Sequence, residues 1–447
     1  MQAHPELFLG PSPSSHAAAA QSTTGSSEPA LADDRAIHLA ILTQYYPPEI
    51  GAPQARLSSL AEALVRRGHR VTVVTALPNY PGGKIQKGYR GLVRQEYRHG
   101  VRVIRSWLIP TRRADMLPRL ACYCSFAASS ALVGTALLQR PDYLMVESPP
   151  LFLGPTGLLL ARLKGARLIF NVSDLWPDSA VRLGVVREGS MPHRLSAALE
   201  ARCYRGAWLV TGQTRDIVDD IGRRFPGTRT FHLPNGVDCK RFGPEKTDAA
   251  SRRLVQFEGR CTALYAGLHG LAQGLDQVLD AAAVIPPSGG LEFVLMGNGP
   301  LRESLIHQAQ SEGLAHVRFL DPRPHAEVPG LLAAADIIIV PLHQSLTNAV
   351  PSKLYEALAS GKPVVLIAGG EAARIVRDGE AGIVVPHNDR AGLAAALLRL
   401  AGDAGLRNRM GMNGRRIAAE RFDRSRIAAS FLGVLQAGLT QRERVHA

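Results

Sequence analysis

Cysteine is scarce in this 447-residue chain. The five residues, at 122, 124, 203, 239 and 261, are odd in number and include no C-x-x-C pair. That argues against a disulfide framework and a thiolate zinc site, and fits a reducing compartment. The 14 His show no metal-ligand spacing. Three nucleotide signatures are missing. No G-x-x-x-x-G-K-[ST] occurs, which removes a P-loop ATPase. No G-x-G-x-x-G follows the first apolar run, which weakens a nicotinamide dehydrogenase. No D-x-D stands in a cleft-like context, so the expectation is metal-independent chemistry with no cofactor. No basic segment precedes an apolar core near the N-terminus, so no signal peptide is read there. A single long uncharged run exists, Leu120–Leu138. Its Ser125, Ser129, Ser130, Gly134 and Thr135 make it only moderately apolar, and it reads as a buried or membrane-facing helix rather than a bilayer span.

What is present is ordinary for a soluble globular protein: 46% apolar and 20% charged residues. The length suggests two or three domains at ~100–200 residues each. Charge is unevenly spread. Residues 1–36 carry one Arg against four acids, and their Ser, Ala, Pro and Thr show no apolar period, so a disordered extension is expected. Residues 37–212 hold 23 basic and 10 acidic residues, and residues 213–447 hold 28 and 24. Within the first of these, residues 84–119 have ten Lys/Arg against Glu96 and Asp115. Such a stretch implies an anionic partner.

The pattern alternates between short apolar runs and helical periods. His38–Thr43 reads as a buried strand, Leu57, Leu60, Ala61, Leu64 and Val65 as a helix closed by Gly68, and Arg70–Thr75 as a second strand. This is the unit of a doubly wound α/β sheet. A second series of strands starts at Thr262, and residues 390–441 look entirely helical. The expected fold is therefore α/β, with two Rossmann-like domains over 37–212 and 213–425 and a C-terminal helix over 426–447 packing back on the first.

The sharpest local signal is Thr347–Val365. A helix begins at Pro351 or Ser352, just past a strand, and ends at Ser360-Gly361. A helix N-terminus at the carboxyl edge of a parallel sheet binds anions. Lys353 in its first turn is unfavourable beside the positive helix end unless an anion such as phosphate lies between. Glu356, one turn on, can accept two hydrogen bonds from a sugar diol.

The run PSKLYEALASGKPVV closely resembles the C-terminal E-x7-E region of the family 4 glycosyltransferases, and other segments match in order over roughly residues 37–430. The resemblance implies the GT-B arrangement, two Rossmann-like domains facing a cleft, and a retaining transfer from a nucleoside-diphosphate sugar. It implies that Glu356 holds the donor ribose. The family's first Glu falls where this chain has Asn348, which keeps hydrogen bonding but not charge. YYPPEIGAPQARLSSL resembles the opening loop and helix, with Gly51 where backbone approaches substrate. NVSDLWPDS resembles a cleft-lining loop centred on Asp174, and PNGVD a turn before the second domain. LYAGLHGLAQGL resembles the G-R-x4-K-G phosphate grip. Gly267 and Gly274 are kept, but Leu268 and Gln273 stand where Arg and Lys are usual, and Lys353 is expected to replace one lost cation. LMGNGP contributes Gly297 and Asn298.

Asp174, Asn348 and Lys353 are thus the candidate catalytic residues. Gly51, Gly267, Gln273, Gly274, Gly297, Asn298, Asn348, Ser352, Lys353 and Glu356 are the candidate nucleotide-sugar ligands. Arg94, Arg98, Arg102 and Arg105 are the candidates for contact with the acceptor and an anionic membrane. The resemblance points to members that build bacterial surface polysaccharides, several of which transfer N-acetylated amino sugars to lipid-linked acceptors. A UDP-linked donor, a lipid-linked or growing glycan acceptor, no nucleic acid, and a cytoplasmic place on the inner membrane face follow as expectations. Two rivals keep the fold: a nucleotide-sugar 2-epimerase, and a non-catalytic membrane-bound assembly protein.

Overall fold

In the computed structural model, residues 35–446 are described apart from 81, 113–115, 183, 258 and 345–348. The expected disordered extension and Asn348 fall outside the described residues. One compact unit runs from Ala36 onward, and it contains two sheets. The first is built from β1 (His38–Leu42), β2 (Arg70–Ala76), β3 (Val93–Arg98), β4 (Val101–Ser106), β5 (Tyr143–Ser148), β6 (Arg167–Val172), β7 (Leu209–Gly212) and β8 (Thr230–His232). Their order is β3-β4-β2-β1-β5-β6-β7-β8. The second comprises β9 (Cys261–Ala266), β10 (Leu291–Met296), β11 (Val317–Leu320), β12 (Ile337–Pro341), β13 (Val364–Ile367) and β14 (Gly382–Val385), ordered β11-β10-β9-β12-β13-β14. Every pairing is parallel except β3 with β4.

The buried strands alternate between two cores, as a pleated strand must. Leu39 and Ile41 face helix Ala52–Val65 and the C-terminal helix Arg424–His446, whose Phe431, Leu435 and Leu439 join that core. Ala40 and Leu42 face the other way, toward Cys122 and Phe126 of helix Met116–Leu137 and toward Leu160. The second sheet likewise separates two cores.

One expectation is corrected, one is refined and one strand is added. The first sheet runs past residue 212, because β8 pairs with β7 and helix Arg215–Arg224 lies between them. Residues 390–441 are helical as expected, interrupted only at Asp403 and Asp423. Asp403 Oδ1 accepts from the Leu406 amide at 2.7 Å and Asp423 Oδ1 from the Ser425 amide at 2.9 Å, each starting a new helix. Third, β3 was unforeseen; its sequence VRQEYR is polar because it is an exposed edge strand.

The two sheets are joined by two chain crossings that bond to each other. The Val237 amide donates to the Phe422 carbonyl at 2.8 Å and the Arg424 amide to the Val237 carbonyl at 2.9 Å. Gly236 adopts φ +58°, and a Cβ there would stand 2.6 Å from the Phe422 carbonyl oxygen. Only glycine suits both the left-handed backbone and that approach.

Candidate active site

The carboxyl ends of β9, β10 and β12 deliver three loops to one place. The Gly267 amide donates to the Met296 carbonyl at 2.8 Å, the His269 amide to the Asn298 carbonyl at 2.9 Å, and the His343 amide to the Ala272 carbonyl at 2.9 Å. Gly267 and Gly297 have φ of +151° and +145°. A Cβ on Gly297 would lie 1.8 Å from the Gly267 oxygen, and one on Gly267 would lie 2.1 Å from Lys353 Cε. The two glycines therefore form a floor on which the Lys353 side chain lies, with its Nζ 5.3 Å from the centroid of the buried Tyr265 ring. Helix Ser352–Ala359 starts here. Pro351 is its N-cap and supplies no side-chain acceptor; the Leu354 amide bonds the Pro351 carbonyl at 3.0 Å, which leaves the Ser352 and Lys353 amides available.

Burial lowers the Lys353 pKa, and Glu356 opposes that shift. Burial likewise raises the Glu356 pKa, with Lys353, Arg424 and Arg241 drawing it back. A desolvated cation beside open helix amides favours a bound anion, since an anion restores what burial removed. Among the described residues, neither Lys353 nor Glu356 has an ion-pair partner within 4 Å.

The other expected ligands differ in readiness. Gln273 has a buried Oε1 without a hydrogen-bond partner, and Gly274 follows it with φ +56°. Leu268, at the place of the usual arginine, is exposed. The Asn298 side chain is occupied locally, its Oδ1 accepting from the Gly299 amide at 2.8 Å. Gly51 caps helix Ala52–Val65 at the carboxyl edge of the first sheet, and Asp174 lies on the loop after β6.

The four arginines do not form one patch. Arg105 is fully buried: it pairs with Glu96 at 2.8 Å and donates to the Ala76 and Pro47 carbonyls. It supports the loop after β1 and cannot meet a membrane. Antiparallel register puts Arg94 opposite Arg105 and Arg102 opposite Tyr97, on alternate faces of the edge hairpin. Arg94 also shares Glu96, at 3.6 Å.

Sequence reasoning missed a buried network at the carboxyl edge of the first sheet. Arg56 donates to Glu147 at 2.5 Å, to Ser173 at 3.0 Å and to Asn235 Oδ1 at 2.8 Å. Asn171 donates to Glu147 at 2.5 Å, and Thr211 to Asn171 at 2.6 Å. Arg424 donates to the Asn235 carbonyl at 3.2 Å. Arg424 has its pKa lowered by burial, with Glu356 the largest opposing influence. The chain of groups thus runs from Glu356 in one domain to Glu147 in the other. Two sequence signals pointed there. Arg56 shares a helix face with Leu60, and Glu147 ends an apolar parallel strand at the edge where ligands bind. His269 was also missed. It is buried between the Tyr265 and Phe319 rings, with neither ring nitrogen hydrogen-bonded.

The description "Glycosyl transferases group 1" matches residues 247–417 and "Glycosyl transferase 4-like domain" matches residues 51–236. The chain is a family 4 glycosyltransferase of the GT-B type. It is 28% identical over 331 residues to WcaI of Escherichia coli (strain K12), named for colanic acid biosynthesis; the match covers 72% of this chain and 81% of that one. It is 26% identical over 265 residues to WbjE of Pseudomonas aeruginosa, named as a glycosyltransferase, covering 58% and 66%. By structure this glycosyltransferase is similar to sucrose-phosphate synthase from Thermosynechococcus elongatus, with TM-score 0.69, 21% identity and coverage of 91% and 100%. It is also similar to Anabaena HepE in complex with UDP and glucose, at TM-score 0.65, 19% identity and coverage of 90% and 100%.

Proposed function

We propose that this glycosyltransferase moves a sugar, with N-acetylated amino sugars the first candidates, from a UDP-linked donor to a lipid-linked or growing glycan acceptor in surface polysaccharide synthesis. The transfer retains anomeric configuration. The observation that carries this reading is the glycine floor under Lys353 at an open helix N-terminus. It offers backbone donors and one cation to a leaving diphosphate, which stabilises charge as it develops without a metal. Glu356 then takes the ribose hydroxyls. Gln273 and the residues Asp174 and Asn348 are the polar groups left to meet the sugar and the acceptor.

The likeness to WcaI, named for colanic acid biosynthesis, and to HepE in complex with UDP-glucose supports the pathway class and the donor class. In this reading the enzyme works on the cytoplasmic face of the membrane, which Arg94, Arg98 and Arg102, among the 23 basic against 10 acidic residues in 37–212, help it to meet. The rivals are less favoured. An epimerase has no need of a basic acceptor domain, and a scaffold has no need of a desolvated lysine on a glycine floor.

The test is a hydrolysis screen of UDP- and GDP-sugars by the full chain without acceptor, in excess EDTA, with the product anomer followed by NMR. Slow release from a UDP-linked amino sugar, undiminished by EDTA, is expected. A faster GDP-sugar overturns the donor assignment. Loss in EDTA with recovery in Mg²⁺ overturns the clamp, and an inverted anomer overturns retention.

A further inference from the structure

Near their carboxyl ends, β5, β6 and β7 carry polar residues in one row. Parallel register places Glu147, Asn171 and Thr211 side by side. All three are buried, although the strands that bear them are otherwise largely apolar. Helix Ala52–Val65 lays Arg56, also buried, against this row. Glu147 receives three donors: Arg56 Nη2 at 2.5 Å, the Asn171 side-chain amide at 2.5 Å and the Ser173 hydroxyl. A buried ion pair adds little stability over apolar packing of similar volume. This one therefore calls for a use other than stability.

Ser173 is where the row meets the loop after β6. Its hydroxyl donates to Glu147 and accepts from Arg56 Nη2 at 3.0 Å and from the Gln213 side-chain amide. That uses its one donor and both of its acceptor sites. Its backbone amide donates to the Ser148 carbonyl at 2.7 Å. Beyond the next residue, Leu175 is buried in the core, and the Trp176 amide donates to the Asp174 carbonyl at 2.9 Å. Asp174 is thus held by its backbone from both sides. Its carboxylate, among the described residues, has no hydrogen-bond or ion-pair partner. Nearby carboxylates differ. Glu49 accepts from the Asn79 and Tyr80 amides, each at 2.8 Å, and Asp178 pairs with Arg224 at 3.2 Å.

The network also reaches the chain crossing between the domains. Arg56 Nη1 donates to Asn235 Oδ1 at 2.8 Å, and Asn235 Nδ2 donates to Gln213 at 3.1 Å. Ser173 and the crossing therefore share two partners, Arg56 and Gln213. The place of Asp174 is set against the segment that leads into the donor domain, as well as within its own sheet.

We infer that Arg56, Glu147 and Ser173 are positioning residues for Asp174. They act on the reaction only through it. They hold its loop at a fixed place relative to the donor domain, and the free carboxylate meets the transferred sugar or the hydroxyl that attacks it. A group on the reaction path needs such support, because a misplacement of ~1 Å can cost about 100-fold in rate. The inference rests on the role given to Asp174 in the proposed function.

The experiment follows, in the full chain, hydrolysis of the nucleotide sugar that the donor screen identifies, UDP affinity by calorimetry, and amide hydrogen exchange. Asp174→Asn should lower kcat by about ten-fold or more. Ser173→Ala leaves the Arg56–Glu147 pair in place, so the fold survives, and a melting curve checks it. It should lower kcat by about five-fold or more with UDP affinity unchanged. Exchange at residues 174–176 should quicken in the same variant while β6 stays protected. The double variant should be no slower than Asp174→Asn alone. Losses that multiply in the double variant, full activity in Asp174→Asn, or unchanged exchange at 174–176 in Ser173→Ala each overturn the inference. If the wild type binds no UDP and hydrolyses no nucleotide sugar, the proposed function falls instead, and the exchange measurement alone decides whether Ser173 holds the Asp174 loop.

Discussion

A Cβ placed on Gly267 would stand 2.1 Å from the Cε of Lys353. The lysine is thus held against a position that only glycine leaves open, at a φ of +151°. Gly267→Ala should displace the side chain, because a flexible lysine end yields before backbone does. The expected result is a fall in donor kcat/KM by roughly 10- to 100-fold with the fold retained. Lys353→Met removes the cation at similar length. If the two act through one contact, the double variant should be no worse than the poorer single one. Full additivity would show that Gly267 serves only the backbone.

Glu356 should matter through its charge. Glu356→Gln should lower kcat/KM by ~1.5–3 kcal/mol, the range for a charge-assisted hydrogen bond. Burial raises the carboxyl pKa, so replacing it with a neutral amide should not lower the melting temperature. The wild-type donor affinity should weaken on acidification, starting above the ordinary carboxylate range, and the variant should lack that limb. Unchanged kinetics with a lower melting temperature would make Glu356 structural.

Most of the fold was legible because buried parallel strands are short uncharged runs, and β1, β2, β5 and β6 stand out as such. β3 and β8 were not legible, one polar at an edge and one only three residues long. The donor site was readable where motif and helix start coincide, at Ser352–Glu356. It was unreadable where function depends on partners distant in sequence. Arg105 looked like one more surface cation in a basic stretch. Its burial follows from β4 lying between β2 and β3, which no local pattern reveals. Arg56 and Glu147 are separated by 91 positions and meet only through the fold.

A carboxylate of the second domain holds a helix start of the first. Glu371, on helix Gly370–Asp378, accepts from the Arg215 amide and from the Asp216 amide at 3.3 Å, the first turn of a helix in the other domain. His232 Nε2 stands 3.7 Å from it, and Arg374 pairs with Asp216. An anion at a helix N-terminus satisfies otherwise open amides. Glu371→Ala should therefore cost about 1–2 kcal/mol. Hydrogen exchange should accelerate at residues 215–217 while β1 and β9 stay protected. Protection unchanged at 215–217 would show that this contact is not needed.

His269 gives the enzyme a defined acid sensitivity. Burial first, then Arg302, push its pKa from 6.5 to about 4, with the Met296 carbonyl opposing and Lys353 adding to the depression. A folded pKa below the unfolded one means that the unfolded chain binds the extra proton between these values. The contribution to stability is therefore complete above pH 6.5 and is lost as the pH falls toward 4, at about 1.4 kcal/mol per unit separating the two pKa values. His232, also lowered to about 4 by burial, acts with the same sign. His269→Gln cannot take up the proton, so its stability should decline less than that of the wild type from pH 6.5 to 4, while His232, His38, His316 and the other shifted groups keep contributing to the slope in both proteins. Chemical denaturation at half-unit pH steps measures this directly. A difference between the two proteins that stays constant across the window would mean that His269 is not the group being titrated.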